Sequence, residues 1–102
     1  METKTVFKPF KLGAVMITPG ASDTVLHQRV IECINRHLKG DWGNLCEEDA
    51  EENCISSHEG YRILSAYAID ETKPAKGHGE NCFWIITEAN RESTTILLPS
   101  EY

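Results

Sequence analysis

Several features that define large classes of proteins are missing from this sequence. It has no run of about 18 or more consecutive apolar residues, which argues against a membrane-spanning helix. Residues 1–10 lack the apolar central region of a signal peptide, so export is not expected. With 102 residues, the chain is too short for a multidomain enzyme or a full dinucleotide-binding fold. We therefore expect a single domain spanning residues 1–102.

The familiar catalytic and phosphate-binding motifs are also absent. The sequence contains neither GxxxxGK[ST] nor GxGxxG, the glycine patterns that bind phosphates through backbone amides. It contains neither GxSxG nor HExxH, which carry a nucleophilic serine and a zinc-bound histidine pair. These absences favour a protein that is not an enzyme, and no cofactor is predicted.

Positive charge is scarce. Ten lysines and arginines face sixteen aspartates and glutamates, which gives a net charge of −6. Nucleic-acid binding needs a clustered basic surface, so no direct contact with nucleic acid is expected. Five of the six residues from Glu47 to Glu52 are acidic. This run is either a solvated helix face or an acidic patch that binds a basic partner.

Four cysteines are present, and we expect them to stay reduced in the cytoplasm.

Hydrophobic periodicity predicts an α+β fold. The pattern predicts strand, long helix, short helix and three strands, in the order β-α-α-β-β-β. The predicted segments are a buried strand at 11–18, a helix from Ser22 or Asp23 to Leu38, a helix at 45–57, and strands at 61–69, 82–87 and 94–98. The simplest architecture is an antiparallel sheet of about four strands with both helices on one face. Residues 1–10 are predicted to be loose or to add an edge strand.

Four polar residues near predicted element ends form a candidate pocket. His37 lies in the apolar arc of the long helix, just before Asp41 in a glycine-flanked loop, while Glu88 and Arg91 bracket the last hairpin turn. If an enzyme, the chain would use His37 as a general base within this set. Trp42 completes the predicted binding residues, because an exposed tryptophan in that loop would anchor a partner.

Other interpretations of the same residues remain open. His37 is also compatible with a core histidine whose ring is hydrogen-bonded to a backbone carbonyl or to Asp41. Cysteine–histidine pairs four residues apart share a helix face, as metal ligands do. If a metal is bound, the candidate ligands are Cys33, His37, Cys54 and His58.

A set of motifs through the last two thirds of the chain resembles a known family. The motifs are RHLKGDWG at 36–43, Asp49, Asn53, RILSAY at 62–67, WIITEA at 84–89, Arg91, TTILLP at 94–99, Glu101 and Tyr102. They resemble small bacterial proteins of plasmids and integrated elements, labelled plasmid-related or type I restriction methylation subunit. Asn90 replaces an aspartate of the family pattern, and the loop at 73–80 is longer. A methyltransferase needs a cofactor domain that 102 residues without a glycine-rich loop do not supply. The resemblance therefore implies a mobile-element setting rather than a mechanism.

Together these observations predict a cytoplasmic, non-enzymatic protein-interaction module of a plasmid, phage or integrated element. Its partner would be a protein of a host defence system or of element transfer, with neither nucleic acid nor membrane bound directly. The alternatives are a small enzyme or ligand-binding protein with the polar pocket, and a zinc-stabilised module. The chain is expected to be a monomer or a homodimer, because an exposed edge strand can pair with a second copy.

Overall fold

The computed structural model describes residues 6–102. The elements are β1 (Ala14–Ile17), α1 (Pro19–Thr24), α2 (His27–Leu38), α3 (Glu47–Glu59), β2 (Ile63–Tyr67), β3 (Phe83–Thr87), β4 (Ser93–Leu97) and a final 3-10 turn (Pro99–Glu101). The predicted α+β class and the order of one strand, helices and three strands are confirmed. Residues 1–5 of the stretch predicted to be loose or an edge strand lie outside the described residues, and residues 6–12 form neither helix nor strand.

The four strands form one sheet in the order β1-β4-β3-β2. The last three strands make an antiparallel meander, but β1 runs parallel to β4. The sheet is therefore mixed, and the prediction of a fully antiparallel sheet is wrong. The cause is the direction of α2, which begins near the end of β2, where Arg29 Nε donates to the Ala68 carbonyl (3.0 Å). Because α2 brings the chain back along the sheet, β2 starts at the same end of the sheet as β1. β2 and β4 run in the same direction, since each is antiparallel to β3, so β1 is parallel to β4.

The predicted long helix is divided in two. α1 is capped by Thr18, whose hydroxyl accepts from the Ala21 N–H (3.2 Å), and Pro19 occupies the first turn, where no amide is needed. Val25 and Leu26 then adopt extended backbone angles before α2 starts. The expected cap at Ser22 or Asp23 is wrong because Thr18 begins the helix earlier.

The core lies between α1, α2 and one face of the sheet. It consists of the buried residues Ala21, Val25, Val30, Cys33, Tyr67, Phe83, Ile85 and Ile96. These positions follow a 3.6-residue period on α2 and a two-residue period on the strands. The helices do not all share this face, because α3 lies along the outer edge of β2.

The outer edge of β2 is closed by hydrogen bonds. Asn53 on α3 donates to the Leu64 carbonyl (2.6 Å) and accepts from the Leu64 N–H (3.2 Å). Two residues further along β2, Ala66 donates to the Trp42 carbonyl (3.2 Å) and accepts from the Asn44 N–H (2.7 Å). Every outward backbone group of Leu64 and Ala66 is thus satisfied, which protects this edge from a further strand.

The opposite edge of the sheet, formed by β1, is open. Among residues 6–102, β1 pairs with β4 alone. All four residues of β1 are exposed, including Val15, Met16 and Ile17. The prediction of a buried strand at this position is therefore wrong: the strand is apolar, but its place at the end of the sheet leaves one side to solvent.

Candidate functional site

His37 occupies a sealed position between α2 and the sheet. Its side chain is completely buried and both ring nitrogens are hydrogen-bonded. Nδ1 lies 2.5 Å from Ser65 Oγ on β2, and Nε2 lies 2.8 Å from Thr87 Oγ1 on β3. Helical periodicity places His37 over the sheet, and strand register sets the two hydroxyls on either side of the ring. His37 is thus a satisfied core histidine, with two hydroxyls as partners in place of a carbonyl or Asp41.

The hydroxyls continue into a hydrogen-bonded chain that fixes the tautomer of His37. The Thr94 hydroxyl donates to the Leu12 carbonyl (2.8 Å), so its oxygen accepts from the Thr87 hydroxyl (2.8 Å). Because the Thr87 hydroxyl donates there, its oxygen accepts from Nε2–H of His37. In the neutral ring, which burial favours, Nδ1 is then the acceptor, and the Ser65 hydroxyl donates to it. The proton of the neutral ring is on Nε2.

Burial keeps His37 neutral over a wide pH range. It lowers the pKa of His37 from 6.5 to about 3, with a smaller contribution from the positive charge of Arg91. A general base that works near neutral pH needs a pKa close to that pH and access to substrate. His37 has neither in this arrangement, so its chemistry is that of a structural hydrogen-bonding group.

Two aromatic rings seal the remaining side of His37. Phe10 and Trp42 both meet the imidazole edge-on, with ring centroids at 5.3 and 5.8 Å. Trp42 is 5% exposed, and the ring of Phe7 meets the Trp42 ring edge-on, with their centroids 6.1 Å apart. Trp42 is therefore a core residue, and the exposure on which a role as a binding anchor depended is not found. The loop turns back onto the sheet because Gly43 adopts a φ of +75° and pairs with Ala66.

Asp41 belongs to a separate surface contact. Its carboxylate accepts from Arg36 Nε (2.7 Å) and Nη2 (3.3 Å) and from the Gly43 N–H (3.2 Å). The hydrogen bond from Arg36 is the main cause that lowers the pKa of Asp41. Tyr67 connects this loop to the core by donating to the Asp41 carbonyl (2.7 Å). The Asp41 side chain therefore shapes the loop, and the nitrogens of His37 are hydrogen-bonded to Ser65 and Thr87 instead.

Arg91 fastens the β3–β4 turn to the end of α3. Its guanidinium donates to the carbonyls of Tyr61 (2.7 Å), Glu88 (3.0 Å) and Ser56 (3.0 Å), and lies 5.7 Å from the Phe10 ring centre. Its own backbone has a φ of +59°, as the tight turn requires.

The four residues of the predicted pocket are thus distributed among different contacts. His37 and Arg91 both contact the Phe10 ring, Asp41 pairs with Arg36, and the side chain of Glu88 is exposed. A role for these residues in binding stays a prediction.

The candidate metal ligands are spread over the fold in the same way. Burial raises the pKa of the Cys33 thiol to about 11, which disfavours the thiolate that zinc binds. His37 uses both nitrogens on hydroxyls, and His58 Nε2 lies 2.6 Å from the Val6 carbonyl oxygen. In residues 6–102, no group of three or more His, Cys, Asp or Glu side chains is placed to hold a metal.

A shallow groove lies at the end of the sheet where β4 finishes and β3 begins. Its volume is about 360 Å³, and its lining residues are Thr24, Ile69, Gly79, Glu80, Cys82, Leu98, Pro99 and Ser100. None of the candidate binding, catalytic or metal-ligating residues predicted from the sequence lines it. The groove is assembled from four distant segments, so no local pattern could have indicated it.

β1 is an apolar strand that is exposed along its whole length. Val15, Met16 and Ile17 are 48%, 50% and 42% exposed. Sequence reasoning found the strand but placed it in the core. No local signal indicated this exposure, because β1 has the composition of a buried strand and its edge position depends on the strand order of the sheet.

Comparisons with known proteins add no relative. No family model, curated protein or solved structure matches the chain. Within residues 6–102, none of the helices has the length and apolar character to cross a membrane.

Proposed function

We propose that this chain is a non-enzymatic protein-interaction module of a mobile genetic element. The observation that carries the proposal is the open, apolar edge of β1, where three side chains are about half exposed. Exposed edge strands are normally shortened, charged or covered, because they pair readily with other chains. An apolar edge without charge or proline fits a surface that a partner covers.

The contacts of the polar residues support a binding role over a catalytic one. The chemically capable side chains, His37 and Arg91 above all, form structural hydrogen bonds with hydroxyls and backbone carbonyls. Cys33 and Cys82 are buried thiols whose pKa values burial raises to about 11. Groups in these states stabilise a fold, and they leave surface recognition as the function with the better support.

The mobile-element setting rests on the sequence resemblance, including the motif at 36–43. In that setting the partner belongs to a host defence system or to the apparatus of element transfer. A protein with a net charge of −6 attracts a basic partner over long distances.

A matched pair of surface variants tests this function. Met16→Lys places a charge on the open edge, whereas Tyr61→Lys makes the same change at an exposed site just before β2. Wild-type protein and Tyr61→Lys should retain the same stoichiometric partner from cells that carry the element, and Met16→Lys should lose it. Absence of a specific partner, or equal retention by Met16→Lys, would contradict the proposal.

A further inference from the structure

Within residues 6–102, the outward backbone groups of β1 have no hydrogen-bonding partner. Ala14 and Thr18 donate inward, to the carbonyls of Glu92 (2.9 Å) and Ile96 (3.0 Å). Backbone groups alternate in direction along a parallel strand, so the N–H and C=O of Val15 and Ile17 point away from the sheet. These four groups have the spacing that an added strand requires.

The two edges of the sheet differ in whether other parts of the described structure bind their outward backbone groups. On the β2 side, Asn53 and the loop at 42–44 satisfy the corresponding groups of Leu64 and Ala66. On the β1 side, the strand AVMI has no charge, no proline and no covering loop among the described residues. The open edge is thus available to an extended chain, while the other edge is not.

The size of the exposed patch bears on which kind of chain covers it. Three half-exposed aliphatic side chains offer on the order of 200 Å² of apolar surface. A stable dimer buries about 800 Å² on each partner, and a second copy would also bring two chains of charge −6 together. An extended segment needs less area, because main-chain hydrogen bonds supply much of its affinity.

The charge of the protein bears on the composition of that segment. The acidic run at 47–52 belongs to α3, which lies along the β2 edge, so the sheet separates it from β1. Around β1 the strand itself is neutral, so the net charge of −6 acts on an incoming segment only at long range, and it favours positively charged ends at low ionic strength.

We propose that β1 binds an extended, basic segment of the partner protein as a fifth strand of the sheet, with apolar side chains at alternate positions. This inference rests on the proposed function and specifies how the partner is held. Val15 and Ile17 supply the backbone hydrogen bonds, and the half-exposed side chains of β1 supply the apolar contacts.

The probe for this mode is a synthetic ten-residue peptide of alternating valine and threonine with two lysines at each end. It is titrated into the ¹⁵N-labelled full-length chain and followed by amide chemical shifts. The largest shifts should fall on Val15 and Ile17. At low ionic strength, the same peptide with glutamates at its ends should bind about tenfold more weakly because of the net negative charge of the protein.

A backbone variant separates strand addition from simple apolar contact. Val15→Pro removes one outward N–H while leaving the inward bonds of the ladder to β4, and Val15→Thr keeps that N–H in a β-branched residue. Val15→Pro should weaken binding about tenfold, as expected for one lost hydrogen bond, and Val15→Thr should change it by about twofold or less. If Val15→Pro does not fold, slowed amide exchange of Val15 and Ile17 on peptide binding to wild-type protein gives the same answer.

Three results would overturn strand addition: shifts centred away from β1, equal binding by Val15→Pro and wild type, or a β1-dependent dimer in sedimentation. The two proposals fail separately. If Met16→Lys loses the natural partner while Val15→Pro retains it, the proposed interaction function is supported and the addition of a fifth strand is contradicted. If the lysine-ended peptide binds as expected but no natural partner is found, the edge binds strands and the proposed function fails.

Discussion

Acid should destabilise this protein well above the pH at which its carboxylates titrate, and His37 is the reason. In the unfolded chain the imidazole has its ordinary pKa of 6.5, whereas in the folded chain burial lowers the pKa to about 3. The unfolded state therefore binds a proton that the folded state rejects. The stability contributed by neutral His37 is complete above 6.5 and is lost as the pH falls from 6.5 towards 3.

The size of the effect follows from the two pKa values. Between about pH 7 and about pH 4.5 the free energy of unfolding should fall by about 2.5 kcal/mol. Asp41, Asp70 and Glu101 also have lowered pKa values, each chiefly through a side-chain hydrogen bond. Their contributions are lost mainly at lower pH, as the carboxylates of the unfolded chain take up protons. The fall in stability between pH 6.5 and 4.5 is therefore assigned mainly to His37.

Urea denaturation followed by circular dichroism at several pH values measures this slope. His37→Gln removes the titrating group and keeps a polar side chain, so its stability should vary little between pH 6.5 and 4.5. His27→Gln removes an exposed histidine and should retain the wild-type slope. Equal slopes for wild type and His37→Gln would refute the conclusion that His37 is buried and neutral.

Three further substitutions test other contacts by the same unfolding assay. Thr87→Val leaves Nε2–H of His37 without its partner and should lower the free energy of unfolding by about 2 kcal/mol, or Tm by roughly 10 °C. Thr95→Val, on the opposite face of the sheet, should change the free energy of unfolding by less than about 0.5 kcal/mol. Equal costs for the two variants would contradict the hydrogen bond between His37 and Thr87. Arg91→Ala should lower the free energy of unfolding by about 1–2 kcal/mol, because the carbonyls that Arg91 binds lose their hydrogen-bond donor. Arg91→Lys should not restore this stability, because lysine lacks the forked guanidinium. Wild-type stability in Arg91→Lys would argue against this geometry. Gly43→Ala would place a Cβ 1.9 Å from a backbone oxygen and should lower the free energy of unfolding by about 3 kcal/mol. Gly60→Ala, with open space around it, should lower the free energy of unfolding by about 1 kcal/mol. Similar losses for the two variants would contradict the close approach of the loop to β2.

Local patterns in the sequence were sufficient to predict the order of strands and helices and the buried positions of α2, although they merged α1 and α2 into one helix. The 3.6-residue period placed Val30, Cys33 and His37 on the core face because neighbouring turns of one helix determine it. The order of strands and helices followed from apolar runs separated by glycine, proline and polar loops. These features depend on residues close together in the chain.

Features that depend on distant residues could not be predicted in this way. Ser65 and Thr87 lie 28 and 50 positions from His37, so their contact with the ring depends on strand register. β1 has the composition of a buried strand, and only the order of strands in the sheet leaves it at an edge. The predicted pocket relied on proximity between element ends, and Arg91 instead found carbonyls of α3 and of the segment before β2.

Amide hydrogen exchange along β1 tests the open edge most directly. In the free protein at low concentration, Val15 and Ile17 should exchange rapidly, while Met16, whose N–H points towards β4, should be protected. Addition of the natural partner, or of the lysine-ended peptide, should then slow exchange at Val15 and Ile17. Uniform protection of all three amides in the free protein, or no change on partner binding, would contradict the account of β1 as the interaction surface.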